Sequence, residues 1–184
     1  MSVVVAIKEN GKITIGADSQ CTRGGTRRTL SNPNNYKIWA VSGADHALMG
    51  CVGTLRAANI MKVADGLIPE IVELKNMVDF KFVVKRLVPR MMEELEGYKQ
   101  LTKNDDGVPC MDSSFLFAYK DKLFSIEHYG SVIEVDDFCA IGSGAPEAMG
   151  SLFSTINVED PIKRIQDAIK SSATHDIYVD YPIV

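Results

Sequence analysis

Residues 2–20 read SVVVAIKENGKITIGADSQ, and their pattern fixes how the fold begins. Residues 3–7 form a run rich in β-branched side chains that starts almost at the first residue. Asn10-Gly11 supplies the positive φ angles of a tight turn, and residues 13–18 return as a second strand. The chain therefore opens with a hairpin.

Beyond it, residues 19–35 are polar and rich in Gly, Arg and Asn, which predicts a long loop. A second strand pair is read around residues 37–41 and 47–52. Thr54 is placed to cap a helix running to about Ala64. A second helix follows from Phe80, with Val83, Val84, Leu87, Val88, Met91 and Leu95 at helical spacing and a kink expected at Pro89. Residues 115–119, 123–128, 131–135 and 138–141 read as antiparallel strands separated by short polar turns. A helix over residues 145–153 comes next, then another opening at Asp160-Pro161 with Ile162, Ile165 and Ile169 on its buried face. Residues 177–179 are expected to close the chain as a strand. This order gives a single domain over residues 1–184: an α+β sandwich with sheet at the centre and helices outside.

A length of 184 residues suffices to enclose a sizeable core. The net charge of −4 comes with interspersed acids and bases, so neither nucleic acid nor an anionic membrane is an expected partner. Cys21, Cys51, Cys110 and Cys139 lie far apart, without the Cys/His spacing of a structural zinc site. With no leader-like or bilayer-length apolar run, the expectation is a cytoplasmic protein with reduced cysteines, needing neither metal nor cofactor.

His46, His128 and His175 sit in no triad context, and no G-x-S-x-G elbow is present. Gly142-Ser143-Gly144 lacks the third glycine or the Lys-Ser/Thr of a nucleotide loop, and reads as a tight turn into a helix. The remaining chemistry lies at the N-terminus. Removing Met1 leaves Ser2 with both a hydroxyl and a free α-amine, whose reference pKa of about 7.7–8.0 needs only a nearby cation to make it a neutral base. Lys37 is a candidate for that cation, with Asp18 as its counter-charge.

Ser2-Val-Val-Val-Ala-Ile-Lys, Asn10-Gly11, Ile15-Gly16-Ala17-Asp18-Ser19-Gln20, Thr22 and Gly24 together resemble the opening of a proteasome β subunit or of the HslV peptidase. Tyr36-Lys37-Ile38, Met49-Gly50-Cys51-Val52-Gly53 and Ala140-Ile-Gly-Ser143-Gly-Ala-Pro146 extend the resemblance in order along nearly the whole chain. It implies an N-terminal nucleophile hydrolase with a four-layer αββα sandwich of two antiparallel sheets flanked by helix pairs. It also implies Ser2 as nucleophile in place of the usual threonine, Asp18 and Lys37 as the charge pair, and Ser143 near the amine. Gly50 would offer its N–H to the oxyanion. Thr22 and Val52 would hold an extended substrate, while Cys21, Leu48 and Val52 would line the pocket for the residue before the cut. Asp176 is a candidate for the family's second aspartate.

The same resemblance implies a homo-oligomeric ring that cleaves polypeptide and works with a separate ATP-dependent unfoldase. Two other functions fit this sequence: a ring-assembly subunit that has lost the chemistry, and an amidase of the same nucleophile class acting on a small molecule.

Overall fold

The computed structural model describes residues 2–70, 72 and 77–184. The opening hairpin forms as expected: β1 (Val3–Glu9) pairs antiparallel with β2 (Lys12–Ala17) through a turn in which Asn10 and Gly11 have φ of 52° and 71°. Its other edge is taken by β12 (Phe138–Gly142), giving a three-stranded sheet of order β12-β1-β2. β5 (Ile38–Ala40), β6 (Ala47–Gly53), β9 (Ser113–Tyr119), β10 (Lys122–Ile126) and β11 (Val132–Val135) build a second sheet of order β11-β10-β9-β6-β5.

The run of apolar residues in β1 has a simple cause, because a strand turns alternate side chains to opposite faces and here both faces are covered. Val3, Val5 and Ile7 pack with Ile165, Ala168 and Ile169 on one side. Val4 and Ala6 pack with Leu116, Ala118 and Leu123 of the second sheet on the other. The outer face of that second sheet, including Met49, Phe115 and Phe117, is covered by helices α1 (Leu55–Val63) and α2 (residues 80–97). The fold is the expected αββα sandwich. Each fully buried Val or Ile contributes about 1.5–3 kcal/mol, so β1 is anchored from both sides.

Thr54 caps α1, its Oγ1 accepting from Ala57 N–H at 3.2 Å. Helix α2 runs through Phe80–Phe82, a π-helical turn Val83–Leu87 and Val88–Gly97. The disruption expected at Pro89 takes the form of that wide turn, where Val88 N–H donates to Val83 O. Helix α3 (Ala145–Ser154) and helix α4 (Pro161–His175) cover the first sheet, the latter capped by Asp160, whose carboxylate accepts from Ile162 and Lys163 N–H. Arg164 is buried in α4 and pairs with Glu9 of β1.

Three expectations are corrected. Residues 19–35 are not a plain loop: β3 (Gln20–Arg23) and β4 (Thr26–Thr29) form a hairpin across Gly24-Gly25, followed by a 3-10 turn over Pro33–Asn35. The strand Thr-Arg-Arg-Thr is fully exposed and so carries no hydrophobic alternation. Ile162 is 59% exposed, because the buried face of α4 is Arg164, Ile165, Ala168, Ile169 and Ser172; at 3.6 residues per turn Ile162 stands about 90° away from its centre. Residues 177–179 form a turn, set when Asp176 Oδ1 accepts from Tyr178 N–H at 2.9 Å. The strand-like pairing occurs later instead: Ile183 bridges Asp18, and Ala17 and Val184 exchange backbone hydrogen bonds.

Short strands β7 (Thr102–Lys103) and β8 (Pro109–Cys110) form a small separate ladder. Among the described residues no helix is long and apolar enough to cross a membrane.

Candidate active site

The hairpin register aligns Val4 with Ala17, which brings Asp18 beside the first residues of β1. Asp18 is fully buried, and both its oxygens are used: Oδ1 accepts from Val3 N–H at 2.9 Å, and Oδ2 from Gln20 N–H at 3.0 Å. Lys37, just ahead of β5 and also buried, donates from Nζ to Asp18 Oδ1 at 2.7 Å. Burial pulls the Lys37 ammonium below the usual lysine value, while the charge and hydrogen bond of Asp18 oppose that fall. The pair is thus a fixed, desolvated ion pair with no slack in its geometry.

Ser143 comes from the turn between β12 and α3. Ser2 N–H donates to Ser143 Oγ at 3.1 Å, Ser143 Oγ to Ser2 O at 3.5 Å, and Gly144 N–H to Ser2 O at 3.3 Å. Gly142 has φ of 103°, and a side chain there would collide with the Ser2 carbonyl. Ser172 of α4 locks the turn from behind, its Oγ donating to Gly144 O at 2.6 Å. Ser2 and Ser143 are therefore in direct contact, and the Lys37–Asp18 pair is tied to the adjoining amide of Val3. Met1 lies outside the described residues.

Gly50 does not join them. Within β6, Cys51 N–H donates to Lys37 O and Val41 N–H to Ala47 O, so the odd-numbered residues turn their backbone groups to β5. Those of Gly50 point to β9 and Leu116. Its missing side chain faces the inter-sheet core, where a Cβ would lie 2.7 Å from Val4 Cγ1. The glycine beside the site is Gly53, at the junction of β6 and α1. By the same alternation its N–H is directed away from β9, past the end of β5. With Val52, Gly142 and Ser143 it lines a cavity of about 400 Å³. Its place directly before the cap Thr54 was the available sequence signal.

Cys21 and Thr22 lie on β3, Cys21 half-buried within electrostatic reach of Lys37, and Thr22 Oγ1 accepting from Gln20 Nε2 at 2.9 Å. Leu48 and Val52 do not share a pocket. Four residues of strand separate them by about 13 Å, and Leu48 lines a different cavity with Gly11, Lys12 and His46. Asp176 caps the turn after α4, with Oδ2 buried and, among the described residues, without a hydrogen-bond partner. It approaches the site through neighbours, since Ser172 and Val179 both pack on Gly144. His46 and His175 are exposed and His128 also, although His128 borders the Ser143 cavity. Among the described residues no cluster of three or more His, Cys, Asp or Glu could hold a metal.

Against known proteins, the family described as "Proteasome subunit" matches residues 2–183. "Proteasome subunit beta" of Nanoarchaeum equitans (strain Kin4-M) is 24% identical over 191 residues, covering 100% of this chain and 90% of its own. Among solved structures, Thiobacillus denitrificans BPH in complex with epoxomicin superposes with a TM-score of 0.76 at 19% identity, covering 99% of this chain and 95% of the other. Eukaryotic HslV from Trypanosoma brucei gives 0.68 at 18% identity, covering 99% and 96%.

Proposed function

Since the chain belongs to the proteasome subunit family, we propose that it is a peptidase whose nucleophile is Ser2, exposed by removal of Met1. The observation that carries this is the convergence of Ser2, Ser143 and the buried Lys37–Asp18 pair at the head of β1.

In this reading Ser2 Oγ attacks the scissile carbonyl carbon and passes its proton to the Ser2 α-amine. The Lys37 ammonium keeps that amine neutral before the attack by disfavouring a second positive charge nearby. The oxyanion is met by the N–H of Gly53 rather than that of Gly50. As the carbon–nitrogen bond breaks, the amine returns the proton to the leaving nitrogen, leaving an ester on Ser2. Water, deprotonated by the same amine, attacks the ester carbonyl carbon; breaking the carbon–oxygen bond frees the new carboxylate and restores the hydroxyl. Cys21, Thr22 and Val52 are proposed to bound the substrate before the cut, with Asp176 positioning the Ser143 turn through Ser172.

We also read the subunit as one of a homo-oligomeric ring acting on polypeptide, a reading its likeness to proteasome subunits supports, and propose that a separate ATP-dependent unfoldase delivers that polypeptide. Intact mass spectrometry of the purified protein tests the central claim. It should show loss of Met1, and incubation with epoxomicin should add the compound's mass to Ser2 and to a Ser2→Thr variant, but not to Ser2→Ala. Hydrolysis of peptides with Met1 attached, or undiminished turnover by Ser2→Ala, would overturn the assignment.

A further inference from the structure

The cavity beside Ser143 is bounded on its far side by Asp112, Ser114, Glu127 and His128, and none of these takes part in the steps above. Glu127 follows the last residue of β10 and is half-buried. Its Oε1 accepts from Ser125 Oγ at 3.1 Å and its Oε2 from Ser114 Oγ at 3.4 Å. Two hydroxyls from neighbouring strands thus hold the carboxylate in one place at the cavity wall. Asp112, on the turn entering β9, adds a second carboxylate, and among the described residues no lysine or arginine lines the cavity.

Which part of a substrate meets this wall follows from the proton's route. The amine that takes the Ser2 proton must return it to the leaving nitrogen, so the leaving segment departs on the amine's side. Ser143 Oγ lies 3.1 Å from the Ser2 nitrogen, and Ser143 borders this cavity. The cavity therefore lies where the residue after the cut must pass.

We propose that Glu127 selects substrates carrying a lysine or arginine immediately after the cleaved bond. The inference rests on the peptidase reading. A held, half-buried carboxylate gives a basic side chain a charge-assisted partner, whereas an acidic one meets repulsion from both Glu127 and Asp112.

The test uses the Met1-free protein with three peptides that differ only after the cut, in lysine, glutamine or glutamate. For the wild type, kcat/KM should favour lysine over glutamine by roughly threefold to tenfold, and 0.5 M salt should shrink that ratio. Glu127→Gln should bring the ratio near one, and Glu127→Lys should turn the preference to glutamate. Each ratio is internal to one preparation, so a partly unfolded variant does not disturb it. Equal hydrolysis of all three peptides by the wild type, or a ratio unchanged in Glu127→Gln, overturns the assignment of Glu127 and leaves the peptidase reading standing. No hydrolysis of any of them overturns both.

Discussion

Lys37 Nζ stands 2.7 Å from Asp18 Oδ1 with both side chains shielded from water, the lysine 8% and the aspartate 0% exposed. Two burdens fall on one contact: it carries the charge that the proposed mechanism needs near Ser2, and it neutralises a fully buried aspartate whose other partners are backbone amides. Lys37→Ala should therefore lose hydrolysis and also stability, by about 3–5 kcal/mol for breaking a buried pair. That corresponds to a fall in Tm on the order of 10 °C. Lys37→Arg should not recover activity, because the forked guanidinium does not fit where a compact ammonium sits. Calorimetry and peptide turnover on the same samples check both halves, and near-normal turnover by either variant removes Lys37 from the mechanism.

The same pair sets a pH limit. Burial lowers the Lys37 pKa and Asp18 raises it, so the ammonium is lost on the alkaline side below the ordinary lysine value of about 10.4. Asp18→Asn removes the raising influence, and the alkaline limb of its residual activity should move to lower pH. A limb that stays in place, or moves up, would show that Lys37 is not the group titrating there.

Gly50→Ala separates packing from chemistry. A Cβ at this position meets Val4 Cγ1 at 2.7 Å and Ile15 Cδ1 at 3.3 Å between the sheets. We expect a loss of about 1–3 kcal/mol from overpacking, with full turnover per folded molecule. A hundredfold loss of turnover in the folded fraction would return Gly50 to the oxyanion site.

Ser143→Ala removes the hydrogen bonds between Ser143 Oγ and Ser2, while Gly144 N–H still donates to Ser2 O. Turnover should fall roughly tenfold to a hundredfold, the worth of one hydrogen bond to a charged group. Labelling of Ser2 should persist. Complete loss of labelling in a folded variant would make Ser143 indispensable rather than supporting.

Much of this was legible in residue order. The β1–β2 hairpin, the capped helix after Thr54 and the Asp160-Pro161 start each rest on local rules, and the structure has all of them. Ser2, Lys37 and Asp18 are proposed from the chemistry of a freed N-terminus and Ser143 from resemblance, and strand register brings Ser143 to Ser2 and the Lys37–Asp18 pair to the amide of Val3. What failed was longer in range. Gly50 and Gly53 are both glycines of one strand, and only the alternation of β6 against its two neighbours tells which amide points to the site. Leu48 and Val52 look like one pocket until the rise of an extended strand is counted. The β3–β4 hairpin carries no hydrophobic signal, because all four residues of its second strand are polar and exposed.

The hydrogen bond from Ser2 to Ser143 joins residues 141 positions apart, and β1 meets β12 over a similar span. A two-residue hairpin such as β1–β2 closes in about 1–10 μs, whereas docking β12 on β1 must close the long loop between Val3 and Gly142. Contacts of such long separation slow folding. The order of recovery after denaturation follows. Trp39, in the second sheet, should report its native fluorescence first, and peptide hydrolysis should return only after a measurable lag, because the nucleophile is positioned by the last strand to arrive.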